Sequence, residues 1–194
     1  MKRLSQSLAV AACVLAGMTS QASSAPVQRM LPPGMKSAYL TAGRPSMAPF
    51  AFVRFCVANA DDCAASDGDE TIATTPDQVD TLKSINIAVN RAIKPQYDTV
   101  SQDRWQADVI AGDCEDYALT KRRRLIHAGF SPAALRIAVA RTWSGEGHAV
   151  LVVRTDRGDV VLDNRFDQIK RWNATDMRIL KIQSGTNPRL WFDL

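Results

Sequence analysis

The apolar residues of this chain follow a helical period up to about residue 130 and an alternating period after it. Between residues 76 and 93 they recur every three or four positions, which predicts an amphipathic helix with the stripe Val79, Leu82, Ile85, Val89 and Ile93. Thr75 can cap this helix, and Gln78 completes a capping box. Pro76 suits the first helical position, whereas Pro95 ends the helix.

The alternating period predicts an antiparallel sheet that follows a second helix. We expect that helix to begin at Asp113, a good N-cap residue, and to stop at Gly129. The stretches "LRIAVARTW", "HAVLVVRTD" and "DVVLDN" are rich in β-branched residues, with Arg157-Gly158 marking the turn between the last two. A further strand is expected around Leu180, Ile182 and the final "RLWFDL". Helices followed by strands indicate an α+β fold in which N-terminal helices pack on an antiparallel sheet.

Residues 1–22 have the features of a secretory signal peptide. Lys2 and Arg3 precede an apolar run at 8–18, and Ser20-Gln21-Ala22 fits a small-x-small cleavage site. A buried N-terminal helix is the alternative. We expect the signal to be removed and the mature chain to be periplasmic or secreted. No later segment approaches the ~18 apolar residues that cross a membrane, so the mature chain is expected to have no membrane span.

Composition and charge narrow the possible functions further. Residues 23–75 begin with a proline-rich stretch and contain an acidic, small-residue run at 61–70, so we expect an N-terminal extension before a core domain at 76–194. The formal net charge is +4, and it falls to +2 when the signal peptide leaves. This charge is too small to predict nucleic-acid binding. The run Arg122-Arg123-Arg124 is interpreted as a solvated helix face.

Three cysteines remain after signal removal, namely Cys56, Cys63 and Cys114. An odd number in an exported protein indicates one disulfide and one free thiol. Cys56 and Cys63 are close enough in sequence to close a short loop, and two unpaired buried thiols are the alternative. Under the first interpretation Cys114 is the free thiol.

Cys114 lies in "AGDCEDYA", where the neighbouring carboxylates should raise the pKa of a thiol. Two features can lower that pKa again: the first turn of a helix, and an imidazolium contributed by His148. If the strands at 148–153 and 159–164 form a hairpin, His148 and Asp163 should lie nearly opposite each other. Asp163 can then hold the imidazole tautomer, as in a Cys-His-Asp triad. Each residue alone also has a structural interpretation, with Cys114 as a packing residue.

Several motifs along the chain share one family pattern. They are a tryptophan separated from "CEDYA" by eight residues, the stretches "GHAVLVV", "VVLDN" and "INIAVNRAIKPQYD", the group Phe55, Cys56 and Cys63, and Trp191. Together they resemble the bacterial transglutaminase-like cysteine proteinases, a papain-like branch of the transglutaminase superfamily. The resemblance covers nearly the whole mature chain. It implies a papain/transglutaminase-like fold with the catalytic cysteine at a helix N-terminus.

The resemblance implies roles for individual residues. Cys114 would be the nucleophile, His148 the general base and then the general acid, and Asp163 the residue that orients His148. The backbone N–H of Cys114 would be an oxyanion donor. Trp105 stands where related enzymes place an aromatic residue near the thiol, and a core tryptophan is its alternative role.

Related enzymes also imply a calcium site and protein partners. Their calcium ligands include the acids that flank the nucleophile, here Asp113 and Glu115, with Asp116 as a further candidate. Ca²⁺ prefers several carboxylate and carbonyl oxygens. Helix capping by Asp113, with the other two acids complementing the helix dipole, is the alternative. The resemblance further implies a protein substrate such as a large surface adhesin, with an inhibitory membrane receptor as another candidate partner.

We therefore predict an exported cysteine endopeptidase that works through a thioester acyl-enzyme, with calcium as a candidate cofactor. Two other functions are compatible with the residues. One is transglutaminase-type acyl transfer or deamidation on glutamine side chains, in which the same triad serves and only the second nucleophile differs. The other is a non-catalytic binding domain, against which all three triad positions hold competent residues.

Overall fold

The computed structural model describes residues 37–99 and 103–194, which belong to one compact unit. The predicted signal peptide at 1–22 lies outside the described residues. The described part contains three α-helices: α1 at Phe50–Ala58, α2 at Pro76–Ala92 and α3 at Cys114–His127. Within these described ranges, no helix is both long enough and apolar enough to cross a membrane.

The two longer helices begin and end where the sequence predicts. The Thr75 hydroxyl accepts the N–H of Gln78 at 3.3 Å, and Pro76 is the first residue of α2. Helix α3 ends just before Gly129, whose φ of +90° is a conformation that glycine adopts at little cost. Thr75 and Pro76 therefore set the start of α2, and Gly129 sets the end of α3.

The strands form two sheets within the described residues. In chain order the strands are β1 at Pro45–Ser46, β2 at Lys94–Pro95, β3 at Ala111–Gly112, β4 at Leu135–Thr142, β5 at Gly147–Thr155, β6 at Gly158–Leu162, β7 at Lys170–Arg171, β8 at Met177–Gln183 and β9 at Trp191–Asp193. Seven of them form an antiparallel sheet in the order β1-β9-β8-β4-β5-β6-β7, while β2 and β3 pair in parallel. Helices on an antiparallel sheet confirm the predicted α+β fold. The C-terminal region expected to add one strand forms two, β8 and β9.

Both faces of the large sheet are buried. On β5, Leu151 and Val153 belong to the main core with the helices, whereas Val150 and Val152 belong to a second apolar cluster on the opposite face. Leu40, from the segment before β1, covers that second cluster. The strand is therefore buried at almost every position.

Helix α1 is not predicted from the sequence, because its nine residues are almost entirely apolar and show no helical stripe. Phe52 and Phe55 lie in the main core, and the Phe52 ring is edge-on to Trp191 with centroids 5.4 Å apart. Phe50 and Val57 of the same helix are exposed. The described part of the predicted extension thus shares its core with the residues after 75.

A disulfide joins Cys56 to Cys63, which confirms the favoured interpretation of the cysteine count. The loop that it closes is held against α3. The buried guanidinium of Arg122 donates to the backbone oxygens of Asp62 at 2.8 Å and of Leu135 at 3.1 Å. Arg122 therefore ties the disulfide loop, helix α3 and strand β4 together.

Arg123 has a structural role as well. Its guanidinium donates to the carboxylates of Asp62 at 3.1 Å and of Asp108 at 2.9 Å. Of the three consecutive arginines, Arg124 keeps the most exposed side chain, at 40%. The interpretation of Arg122-Arg123-Arg124 as a solvated face is therefore wrong for the first two, because they satisfy carbonyls and carboxylates that are distant in sequence.

We expect Arg122→Met to lower the free energy of unfolding by about 2–4 kcal/mol, because two backbone carbonyls lose their donor. Arg124→Met is the matched control and should change this free energy by less than about 0.5 kcal/mol. Urea denaturation followed by circular dichroism measures both values. Equal losses in the two variants would contradict the structural role of Arg122.

Candidate active site

The hairpin of β5 and β6 determines where His148 and Asp163 lie. A two-residue turn at Asp156–Arg157 joins the strands, and the last ladder pair is Leu151 with Leu162. Continuing this register, Asp163 lies across from Val150, two residues along β5 from His148. The two residues are therefore not directly opposite each other, contrary to what the sequence suggests. Because side chains on one face of a strand repeat every two residues, this offset keeps both on the same face.

The side chains of His148 and Asp163 are in contact. His148 Nε2 lies 2.9 Å from Asp163 Oδ1, and the two residues are only 8% and 4% exposed. This hydrogen bond occupies Nε2 and leaves Nδ1 as the ring nitrogen that can exchange a proton with another group. Nδ1 has no hydrogen-bond partner among the described residues.

Arg165 also binds Asp163, and this contact is not predicted from the sequence. Its guanidinium donates to Asp163 Oδ2 at 2.8 Å and to Asp176 Oδ1 at 2.8 Å. Burial acts to raise the pKa of Asp163, but hydrogen bonds from His148 and Arg165 outweigh it and hold this pKa below its ordinary value. The carboxylate is therefore ionised and oriented. The sequence signal is an arginine two residues after the acid, in "LDNR".

Cys114 is the first residue of α3 and lies against the edge of β5. Strand β6 ends at Leu162, so its pairing with β5 stops at Leu151. The residues of β5 before Leu151 have no strand beside them on this edge within the described residues. The Ala149 N–H donates to Cys114 Sγ at 3.3 Å. Ala149 directly follows His148, so the thiol contacts the backbone of the residue next to His148. The Cys114 N–H has no acceptor in the described ranges.

The surroundings of Cys114 raise the pKa of its thiol, contrary to the expectation that the helix start and His148 lower it. Burial is the largest cause, followed by the Glu115 carboxylate, whose Oε2 accepts from Sγ at 3.2 Å. The Ala149 N–H lowers this pKa, but with a smaller effect. These protein groups on their own therefore keep the thiol protonated at neutral pH.

Asp113 occupies the N-cap position of α3, but its side chain does not cap the helix. Its Oδ2 accepts the N–H of Asp98 at 3.2 Å, and its Oδ1 is buried with no partner among the described residues. The capping interpretation is therefore wrong for Asp113.

Burial, together with the neighbouring Asp113, raises the pKa of Glu115 well above its usual range.

Two acids that are not predicted from the sequence join this group. Asp98, Asp103 and Glu115 each present a carboxylate oxygen, and these oxygens lie within 4.8 Å of one another. Asp113, whose Oδ1 is unpartnered among the described residues, is the close neighbour of Glu115, and we call these four acids the acid cluster. Such a set fits Ca²⁺, which prefers several carboxylate oxygens. The parallel pairing of β2 with β3 brings Asp98 to Asp113, and spacing in the sequence does not reveal that pairing.

Asp116 is held by the backbone. One carboxylate oxygen accepts the N–H of Gln106 at 2.7 Å, and the other lies so close to Gly112 that a Cβ there would overlap it. Burial, and to a smaller extent the charge of Asp113, raise the pKa of Asp116 to about 7. Among the three predicted calcium ligands, Asp116 is thus the one that fastens the 105–106 segment onto α3.

Trp105 lies in the main core and is 8% exposed. Its ring is edge-on to Phe52 with centroids 5.7 Å apart. This position matches the core role considered for Trp105. A role beside the thiol stays a prediction.

Comparisons with known proteins give both sequence and structural matches. The profile of the bacterial transglutaminase-like cysteine proteinase family, BTLCP, matches residues 42–194. A sequence comparison with curated proteins gave no significant match.

The structural matches include LapG from Legionella pneumophila. A calcium-bound LapG structure matches with a TM-score of 0.52 and 23% identity, covering 62% of this chain and 71% of LapG. An EGTA-treated LapG structure matches with the same score and identity, covering 63% and 70%. At this identity the likeness shows the fold. The family profile covers most of the chain, and the chain belongs to the bacterial transglutaminase-like cysteine proteinases, a family of cysteine peptidases.

Proposed function

We propose that this chain is an exported endopeptidase in which Cys114, His148 and Asp163 form a catalytic triad. The observation that carries the proposal is the 2.9 Å hydrogen bond between His148 and Asp163 beside a free thiol that accepts the Ala149 N–H. This arrangement supplies a nucleophile, a base with one free ring nitrogen, and a carboxylate that fixes the tautomer of the base.

In the acylation step, the sulfur of Cys114 attacks the carbonyl carbon of the scissile peptide bond, and the thiol proton passes to Nδ1 of His148. The Cys114 N–H, which has no acceptor in the described residues, can donate to the developing oxyanion. His148 then gives the proton to the leaving amine as the C–N bond breaks. A thioester remains on Cys114.

In the deacylation step, water attacks the thioester carbonyl and gives a proton to His148. The C–S bond breaks, the acid product leaves, and the thiol of Cys114 recovers its proton. Asp163 stays ionised because Arg165 binds it, and it stabilises the imidazolium that forms in each step. The free ring nitrogen of His148 thus serves both half-reactions.

We further propose that the acid cluster holds Ca²⁺, with Asp98, Asp103, Asp113 and Glu115 as ligands. The convergent oxygens and the unpartnered Asp113 Oδ1 support this proposal, as does the calcium-bound structure of LapG. Bound calcium would supply positive charge that offsets the carboxylates beside the thiol. It would thereby weaken the effect of the Glu115 charge, which after burial is the largest cause that raises the pKa of Cys114.

An exported location fits the chain. The Cys56–Cys63 disulfide is typical of oxidising compartments, and the features at 1–22 are those of a secretory signal. The substrate would then be another exported or surface protein. The family resemblance makes large surface adhesins the first substrates to test.

The purified mature chain is expected to cleave fragments of exported adhesins, whereas Cys114→Ala and His148→Ala should each lose at least about 10³-fold in rate. His127→Ala is the matched control, because His127 lies at the opposite end of α3 from Cys114. Gel electrophoresis with N-terminal sequencing of the products measures cleavage.

A labelled amine in the same reaction separates hydrolysis from acyl transfer, because an amine competes with water for the thioester. Incorporation of the label without cleavage would show a transferase in place of a peptidase. Unchanged cleavage by Cys114→Ala would end the proposed mechanism.

We expect Ca²⁺ to bind the wild-type chain in isothermal titration calorimetry, and Asp103→Asn to weaken this binding at least about tenfold. Asp69→Asn, which changes an exposed acid outside the acid cluster, is the matched control and should bind Ca²⁺ as the wild type does. If the wild type gives no binding signal and cleaves equally well in excess EGTA, the calcium site is excluded.

A further inference from the structure

Lys121 is a charged residue that the proposed chemistry does not use, and it is completely buried in the middle of α3. It is 0% exposed, and its Nζ has no hydrogen-bond partner among the described residues. A buried ammonium without an acceptor destabilises a fold, so such groups concentrate at functional sites. Burial lowers the pKa of Lys121 to about 7, against the attraction of nearby carboxylates.

Lys121 lies on the same face of α3 as Cys114. The two residues are separated by about two helical turns, or roughly 10 Å along the axis. The carboxylates of Asp163 and Asp167 attract the Lys121 ammonium, although neither accepts a hydrogen bond from it. The buried charge is therefore attracted by the segment that carries the proposed triad acid.

Two asparagines of α2 hold that segment in place. Asn86 Nδ2 donates to the backbone oxygen of Asp167 at 3.0 Å, and Asn90 Nδ2 donates to that of Asp163 at 3.2 Å. The Oδ1 atoms of both asparagines, and that of Asn164, are buried and have no partner in the described part of the chain. Buried polar atoms that lack partners thus occur together around residues 163–167, and buried water typically bridges such groups.

We propose that Lys121 is a positioning residue for the triad: its ammonium attracts the Asp163 carboxylate and, through buried water, links to the side-chain oxygens of Asn86 and Asn90. This inference rests on the proposed function of Cys114, His148 and Asp163. A positive charge at this place favours the ionised form of Asp163 and affects how readily the neighbouring imidazole of His148 takes up a proton.

The positive charge of Arg165 does not replace that of Lys121 near Asp163. Asp163 is hydrogen-bonded to His148 and Arg165. Asp163 and Asp167 both attract the Lys121 ammonium. Arg165 shares its guanidinium with a second carboxylate, so part of its charge is offset there. Lys121 is the cation of this group that has no hydrogen-bonded partner within the described residues.

The test uses the two histidines of the chain. Lys121→Met removes the charge with little change in volume, and it should raise the pKa of His148 by about 0.5 or more, because a nearby cation disfavours the imidazolium. Nitrogen-15 NMR of the imidazole nitrogens follows His148 through a pH titration, with His127 as an internal reference. Lys83→Met, which removes an exposed charge on α2, is the matched control.

Two further measurements separate positioning from simple stability. On an adhesin fragment, kcat of Lys121→Met should fall about tenfold while KM stays within about twofold, since the substrate does not touch this residue. Leu125→Ala, a core change on the same helix, should lower Tm without moving the pKa of His148. If Lys121→Met does not fold, Lys121→Gln takes its place in the titration.

A His148 pKa that moves no more in Lys121→Met than in Lys83→Met would overturn the inference, whatever the substrate results. A shifted His148 pKa in a protein that cleaves no substrate would support this role of Lys121 and would count against the proposed function. The NMR titration needs no substrate, so the two failures can be told apart.

Discussion

The structure depends on one contact, in which the start of α3 occupies the edge of β5 where β6 has ended. The Ala149 N–H has no strand beside it there and donates to Cys114 Sγ at 3.3 Å. A longer β6 would fill this edge and exclude the thiol. Because the ladder stops at Leu162, the chain also turns away at Asp163, and that carboxylate is free to meet His148 at 2.9 Å. One break in the sheet therefore positions all three residues of the proposed triad.

Charge is distributed unevenly around that contact. On one side, Asp163 is bound by His148 and Arg165, so its charge is compensated within the protein. On the other side, the acid cluster crowds carboxylates beside Cys114, and Asp113 Oδ1 has no partner among the described residues. The carboxylates of the acid cluster disfavour a thiolate on Cys114 unless a bound cation offsets their charge. The proposed calcium ion would thus compensate the charge that the protein leaves open.

Several features of the fold and site can be predicted from the sequence because they are local. A cap and an apolar stripe mark α2, a glycine marks the end of α3, and alternation marks β5 and β6. The turn is centred between Asp156 and Arg157, one residue beyond the centre that would place His148 directly opposite Asp163, so the two residues are offset but keep their common face. Contacts between distant segments are hidden from the sequence. Asp98 and Asp103 meet Glu115 only through tertiary packing, and Lys121 has the spacing of an ordinary helix lysine although it is fully buried.

The central claim is that His148 activates Cys114, and the rate of thiol alkylation tests it most directly. Cys114 is the free cysteine of the described residues, because Cys56 and Cys63 are joined. Iodoacetamide labelling at pH 6 in excess Ca²⁺, followed by mass spectrometry, compares the wild type with His148→Ala. The account predicts that Cys114 reacts at least about tenfold faster in the wild type, since an adjacent imidazolium stabilises the thiolate. Equal rates in the two proteins would contradict it.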